Sequence, residues 1–331
     1  MKKRKVRLAV IGLGKMGLLH ASISSVIPDV ELVALVDKSA LLKRLYKKIF
    51  SSKEVVVTGD LEKLTKLDLD AVYITTPISS HAPIAGSLYK KGIVRNIFVE
   101  KTLASSYDQA KELCDLAKNF GGVNMVGYMK RFSVTFRKAK DLLAQQTLGE
   151  PYSFKAYAYS SDFLGLTKES KSSAPRGGAL RDIGCHTLDL VLWLFGDLEV
   201  SNVASNSEVE MGAEISASFT VKNSNGLEGQ FEISQCMLNY RMPEFGLLIE
   251  CEKGKIDVND DRLILIKSDD SNTKFYRHDL NDNVNFFLGE TEYFRENQHF
   301  VNSVLNNRIT ESNFETASKV DYIIDQVRSR S

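Results

Sequence analysis

The chain has little of what marks secreted, membrane-spanning or zinc-binding proteins. Its four cysteines (Cys114, Cys185, Cys236 and Cys251) are scattered through 331 residues. They form no CxxC pair and have no zinc-ligand spacing, which argues against a disulfide framework or metal site and for reduced thiols in a cytoplasmic protein. No apolar run reaches the roughly eighteen residues of a membrane span. A formal charge of +1 gives no general drive toward nucleic acid or membrane surfaces. The basic start, Lys2-Lys3-Arg4-Lys5, imitates the front of a secretory leader, yet Gly12, Gly14, Lys15 and Gly17 interrupt the apolar run behind it. It reads as a solvated lead-in to a first strand. Charged residues make up 26% and apolar ones 43%, an ordinary globular balance in a chain long enough for two domains. There is no internal repeat and no low-complexity segment.

The first forty residues carry the strongest signal. Val6 to Ile11 is a short apolar run, and Gly12-Leu13-Gly14-Lys15-Met16-Gly17 follows at once. A helical stretch comes next, then a second apolar run, Val30 to Val36, which ends at Asp37. This strand–turn–helix–strand–acid unit fits a dinucleotide. Gly12 permits the tight turn, Gly14 lets backbone approach a pyrophosphate, and Gly17 lets helix and strand pack closely. The helix N-terminus, through Lys15 and Met16, presents N–H groups to the phosphates. Asp37 can accept hydrogen bonds from the adenosine ribose, which favours NAD over NADP, with Lys38 and Lys43 softening that preference.

Strand and helix signals alternate to about residue 128, predicting an α/β unit with a doubly wound parallel sheet. Ala71 to Thr75 is a strand ending in Thr76-Pro77, and Ile97 to Val99 is a strand delivering Glu100-Lys101. Ligands lie at the carboxyl ends of such strands, so Thr75, Thr76, Pro77, His81, Glu100 and Lys101 fall on the cofactor side. From residue 129 to 331 the pattern becomes α+β: a helix from Phe132, a polar stretch Ser160 to Arg176, a helix Cys185 to Phe195, several strand-like runs between Ile215 and Ile266, and helical segments from Thr291. These predict an open, mostly antiparallel sheet in a second, substrate-binding and oligomerisation domain, with Trp193 in its core.

The second informative segment runs from Gly177 to Asp189. Asp182 and His186, four apart, share a face at a helix start. An imidazole can take the proton of an alcohol while its C–H hydride leaves for a nicotinamide. A neighbouring carboxylate can orient the imidazole or hold a hydroxyl, and the Lys101 ammonium can stabilise a developing alkoxide.

Taken together, these features resemble the glucose–fructose oxidoreductase / inositol dehydrogenase family over essentially the whole chain. The likeness rests on the glycine turn followed by His20, Thr76-Pro77 with His81, and Glu100-Lys101 in the place of an E-K-P motif. It extends to Gly127, Tyr128, Arg131 and Phe132, to the Gly177–Asp189 segment, and to Tyr293, Glu296 and Phe300. The resemblance implies a Rossmann domain followed by an α/β domain whose open sheet makes a homodimer or homotetramer contact. It implies that Lys101, Asp182 and His186 are catalytic, that NAD (or NADP) is the cofactor, and that Arg131 faces a sugar-like substrate. A redox-elimination glycosidase and a nucleotide-sensing protein are the alternatives on the same fold.

Three departures stand out. Thr102 replaces the motif's proline; if that proline sits at a cis bond, Thr102 is expected to manage otherwise, because a cis non-proline bond costs about 2.5–4 kcal/mol. The stretch before Glu100 carries about two extra residues, at Ile93 to Asn96, compared with the resembled family. The polar segment Ser160 to Arg176 reads as a substrate-side lid. Within it Lys171 and Arg176, together with Arg131 and Arg181, are candidates to receive a phosphate or carboxylate.

Overall fold

A computed structural model describes residues 4–50, 54–162, 177–204, 209–210 and 213–331. Lys2, Lys3, Lys171, Arg176 and residues 163–176 of the lid expected over Ser160 to Arg176 lie outside the described residues. The chain divides into two compact units, Met1–Met129 with Val284–Asp321, and Lys130–Asn283 with Tyr322–Ser331. Sequence reading places everything after residue 128 in one second domain, but 284–321 joins the first unit. The cause is hydrogen bonding along an edge strand: Val126 N donates to Ser312 O at 2.8 Å, Thr310 Oγ1 to Asn124 O at 2.6 Å and Phe314 N to Asn124 Oδ1 at 2.6 Å.

In the first unit, β1 (Val6–Ile11), β2 (Val30–Val36), β3 (Val56–Thr58), β4 (Ala71–Ile74), β5 (Asn96–Glu100) and β6 (Asn124–Gly127) form a parallel sheet in the order 3-2-1-4-5-6. Helices α1 (Lys15–Val26), α2 (Ala40–Ile49), α3 (His81–Lys90) and α4 (Tyr107–Phe120) connect it. The inner strands are near-continuous apolar runs because helices cover both sheet faces; all four residues of β4 are buried. Strand order reverses between β1 and β4, and their carboxyl ends open the crevice where such sheets bind ligands.

The second unit is built on an eight-stranded sheet. It contains β7 (Pro151–Tyr159), β8 (Glu199–Val203), β11 (Ser216–Lys222), β12 (Glu228–Ser234), β13 (Glu244–Cys251), β14 (Gly254–Asn259), β15 (Arg262–Lys267) and β16 (Asn272–Tyr276), in the order 16-15-14-13-7-12-11-8. A two-residue pair, β9 (Val209–Glu210) with β10 (Ala213–Glu214), lies outside it. Every neighbouring pair in the large sheet is antiparallel except β7 with β12. Helix α5 (Val134–Ala144) packs on β14 and β15, and α6 (Cys185–Phe195) on β7 and β13. Sequence reading misses β7, the strand that joins the two halves of the sheet. Its inward face is Phe154, Ala156 and Ala158, and two alanines give little period-two signal. Trp193 differs from expectation: it is half-buried at the rim of α6, with the Lys140 ammonium 3.8 Å from its ring centroid.

Helices α7 (Thr291–Asn306) and α8 (Phe314–Arg330) follow the sheet. Among the described residues no helix is long and apolar enough to cross a membrane, and no group of three side chains is arranged to hold a metal ion. All four cysteines are free thiols.

Candidate active site

The glycine turn is fitted to its surroundings. Gly12 has φ +94°, and a Cβ there would lie 2.7 Å from Thr76 Cγ2. At Gly17 a Cβ would lie 1.9 Å from Gly12 O, so helix and turn touch backbone to backbone. Gly14 has open space on the side a Cβ would occupy, which is the room a phosphate needs. It starts α1 with no side-chain cap, so the first N–H groups of the helix have no intrahelical acceptor. Thr75 Oγ1 donates to Gly12 O at 2.6 Å and Gly12 N to Val36 O at 2.8 Å, which ties the ends of β1, β2 and β4 together. Asp37 Oδ2 accepts from Leu13 N and Oδ1 from Ser39 N, both at 2.7 Å. This turn, its open phosphate side and its fixed carboxylate fit a dinucleotide. Gly17→Ala is expected to force the turn apart, costing about 1–3 kcal/mol of stability and lowering NADH affinity at least about tenfold (roughly 1.4 kcal/mol), readable by nicotinamide fluorescence.

Past β4, Ser80 Oγ donates to Thr76 Oγ1 at 2.8 Å. His81, fully buried, sets Nδ1 2.8 Å from Thr102 O and Nε2 2.7 Å from Thr76 O, joining the loops after β4 and β5. Burial pushes His81 below the usual imidazole range, and the two carbonyls offset only part of that. Between about pH 6.5 and 5 the unfolded chain therefore takes up a proton that folded His81 resists, so stability falls as pH falls. Thermal melts at pH 7, 6 and 5 should show a flatter decline for His81→Asn than for the parent.

Glu100, at the end of β5, is held on two sides. His20 Nε2 lies 2.8 Å from its Oε1, and Lys101 N donates to Oε2 at 3.1 Å. Burial raises its pKa, but the His20 hydrogen bond and the charges of His20 and Lys101 outweigh that and hold it below the ordinary carboxylate range. His20 is buried among Tyr73, Phe98 and Tyr293, with Nδ1 against the Asn297 amide. Lys101 follows, half-buried. Against expectation, the Lys101–Thr102 peptide bond is cis without a proline.

In the second unit, Gly177 and Gly178, with φ +77° and +80°, lead into a π-helical turn, Leu180–Gly184, that runs straight into α6. A π turn widens the helix locally and is common at functional sites; it modifies the simple α-helical spacing expected for Asp182 and His186. Asp182 Oδ2 accepts from Gln235 Nε2 at 2.9 Å. His186 packs edge-on to Phe245, with ring centroids 5.0 Å apart. Both side chains are buried, at 9% and 4% exposure. Cys185 is fully buried. Glu214 anchors the turn, accepting from Leu180 N at 3.2 Å and Arg328 Nη2 at 2.7 Å. Arg181 is committed to Asp325 at 2.8 Å.

Arg131 does not fit its expected role. Its Nε and Nη2 donate to the two Asp189 oxygens at 2.7 and 2.6 Å, and the pair is buried at 3% and 1% side-chain exposure. A bidentate fork closed on a carboxylate of the same unit positions α6 rather than receiving substrate. Neighbouring Lys130 pairs with Asp260 at 2.7 Å and lies over Phe245, the ring that packs on His186. Sequence reasoning misses Gln235, Asn297 and Asp260, because their roles come from strand and helix neighbours remote in sequence. A cavity of about 620 Å³ beside Lys111, Cys114 and Phe314 contains none of the site residues.

Comparison with known proteins bears on the family and the fold. Residues 6–128 match a family model described as "Oxidoreductase family, NAD-binding Rossmann fold", and residues 136–257 match the GFO/IDH/MocA C-terminal domain. A scyllo-inositol 2-dehydrogenase (NAD(+)) of Bacillus subtilis is 28% identical over 215 residues, 62% of this chain and 58% of that protein. The chain thus matches somewhat over half the length of that relative. An oxidoreductase from Agrobacterium radiobacter, solved with NAD+, L-tartaric acid and magnesium, superposes with a TM-score of 0.82 at 18% identity, covering 98% of this chain and 96% of that one. A mutant of a 3-ketoreductase from Actinomadura kijaniata, solved with TDP-benzene and NADP, gives a TM-score of 0.79 at 19% identity, covering 99% and 98%. With a glycine turn, a parallel sheet and an antiparallel sheet all accounted for, the chain belongs to the GFO/IDH/MocA family of oxidoreductases, and its first unit is that family's NAD-binding Rossmann domain.

Proposed function

We propose that this protein transfers a hydride between a nicotinamide dinucleotide and a secondary alcohol or ketone of a sugar, cyclitol or nucleotide sugar. The observation that carries the reading is the pairing of a fitted glycine turn with Lys101 at the carboxyl end of β5, the sheet edge where such folds do their chemistry. Gly12, Gly14, Lys15, Met16, Gly17 and Asp37 would hold the pyrophosphate and adenosine ribose. Thr75, Thr76, Pro77, His81 and Glu100 would line the nicotinamide side. When bound, the nicotinamide supplies or accepts the hydride.

The chain's own groups would manage the proton and the charge. In the oxidative direction His186 takes the hydroxyl proton as the C–H hydride departs, and the Lys101 ammonium steadies the developing alkoxide. Asp182, held by Gln235, fixes the substrate hydroxyl or the imidazole. Arg131 positions α6 through Asp189 instead of touching substrate. The scyllo-inositol 2-dehydrogenase named above supports this substrate class. The outer face of the eight-stranded sheet, where Lys155 is exposed and Tyr157 and Tyr159 are half-buried, is assigned to pairing with a second copy, and the solution mass by light scattering checks this.

A panel of inositols, aldoses and nucleotide sugars, followed at 340 nm with NAD or NADH, tests the function. Absorbance change with one class supports it. Release of an aglycone with no net change in reduced cofactor would overturn it in favour of redox elimination.

A further inference from the structure

The turn that carries Asp182 is held from the far end of the chain, where helix α8 closes against it. Arg328 Nη2 donates to Gly177 O, and to Glu214 Oε1 and Oε2 at 2.7 and 3.0 Å. Glu214 Oε1 in turn accepts from Leu180 N at 3.2 Å. One turn earlier on α8, Asp325 Oδ1 accepts from Arg181 Nη2 at 2.8 Å. Arg330 Nη1 donates to Val200 O at 2.6 Å and fixes the end of the helix to β8. All of these residues belong to the second unit. The glycines before the turn are fitted to the same partners. A Cβ on Gly178 would lie 2.4 Å from Glu214 Oε1, and one on Gly177 would lie 3.1 Å from Arg181 Cδ.

Resting on the proposed function above, we propose that Arg328 and Asp325 are positioning residues for the reaction. Acting through Glu214 and Arg181, they set the turn that aims Asp182 and the helix start that bears His186, without touching substrate. A π turn departs from regular helical bonding, and the first N–H groups of a helix need acceptors from elsewhere. Glu214 supplies one for Leu180, and its charge suits the N-terminal end of the continuous helix from Leu180 to Phe195. Glu214 and Arg181 are both buried, so each needs an opposite charge to stay in place. Helix α8 provides both, Arg328 for the one and Asp325 for the other.

Steady-state kinetics and hydrogen exchange of full-length variants, taken well below their melting temperatures, test the inference. Arg328→Met is expected to lower kcat by about 10–100-fold, the scale for moving a reacting group by roughly 1 Å, with NADH affinity held. Exchange of the Leu180–Gly184 amides should quicken while that of α4 stays parental. Arg328→Lys should regain most of the turnover, because an ammonium has three N–H groups for the three oxygens that Nη2 now meets. Asp325→Asn, which keeps the side chain's shape, should lower kcat several-fold in the same way. A purely structural role would lower the melting temperature and leave the kcat of the folded variants parental; that result overturns the inference. So does a loss that Arg328→Lys leaves unrelieved while exchange at the turn is unchanged. If the parent turns over no member of the substrate panel, the proposed function falls and exchange alone decides: parental protection of Leu180–Gly184 in Arg328→Met then overturns the inference as well.

Discussion

His186→Asn is expected to lower turnover by about 10²–10⁴, the span for losing a general acid–base group. Asparagine fits the space beside Phe245 and cannot exchange a proton near neutral pH, so the loss should fall on kcat while NADH affinity and the melting temperature hold. Lys101→Met is expected to give a loss of similar order, because an ammonium in a water-poor site stabilises an oxyanion strongly. The two groups would serve one proton and one charge in a single step, so the double variant should lose less than the product of the single losses. Steady-state kinetics of all three proteins decide the matter. Full turnover in either single variant contradicts the assigned roles.

Arg131→Met is expected to destabilise the protein by about 3–5 kcal/mol, the range for stripping one partner from a buried ion pair. The Asp189 carboxylate, 1% exposed, would remain in the interior without the fork that now meets both its oxygens. Removing both charges is a different experiment. Arg131→Met with Asp189→Leu should regain most of the loss, because the desolvation cost of both ions goes with them. Urea unfolding of the single and double variants measures the difference. If the single variant melts with the parent, the pair contributes little and α6 is positioned by packing alone. Turnover of the double variant is also informative: a fall with stability regained would mean the pair sets the orientation of His186.

Much of the fold was legible because its signals are local. The glycine turn, the apolar parallel strands and the helices Tyr107–Phe120 and Cys185–Phe195 each declare themselves within about twenty residues. The central strand β7 did not, since Ala156 and Ala158 provide shape without hydropathy. The edge strands β8 and β16 escape sequence reading because three of the five residues in each are polar. The fate of residues 284–321 depends on hydrogen bonds between side chains and backbone that join Thr310, Ser312 and Phe314 to β6, partners almost two hundred residues away in sequence. At the candidate site the residue types were readable and their partners were not. Asp182 is found from its motif, but Gln235, which holds it, carries no motif. Arg131 shows why a cation in a recognisable segment is an incomplete clue: only the structure reveals that its fork is already closed on Asp189. The same holds for Thr102, where local energetics alone argued against the cis bond that the chain adopts.

Titration of the purified chain with NADH, following nicotinamide fluorescence, tests the dinucleotide reading on which every proposed role depends. Saturable binding, weakened by Gly17→Ala, is the expected result. Absence of binding at any accessible NADH concentration would contradict the proposed chemistry at its root, whatever the fold.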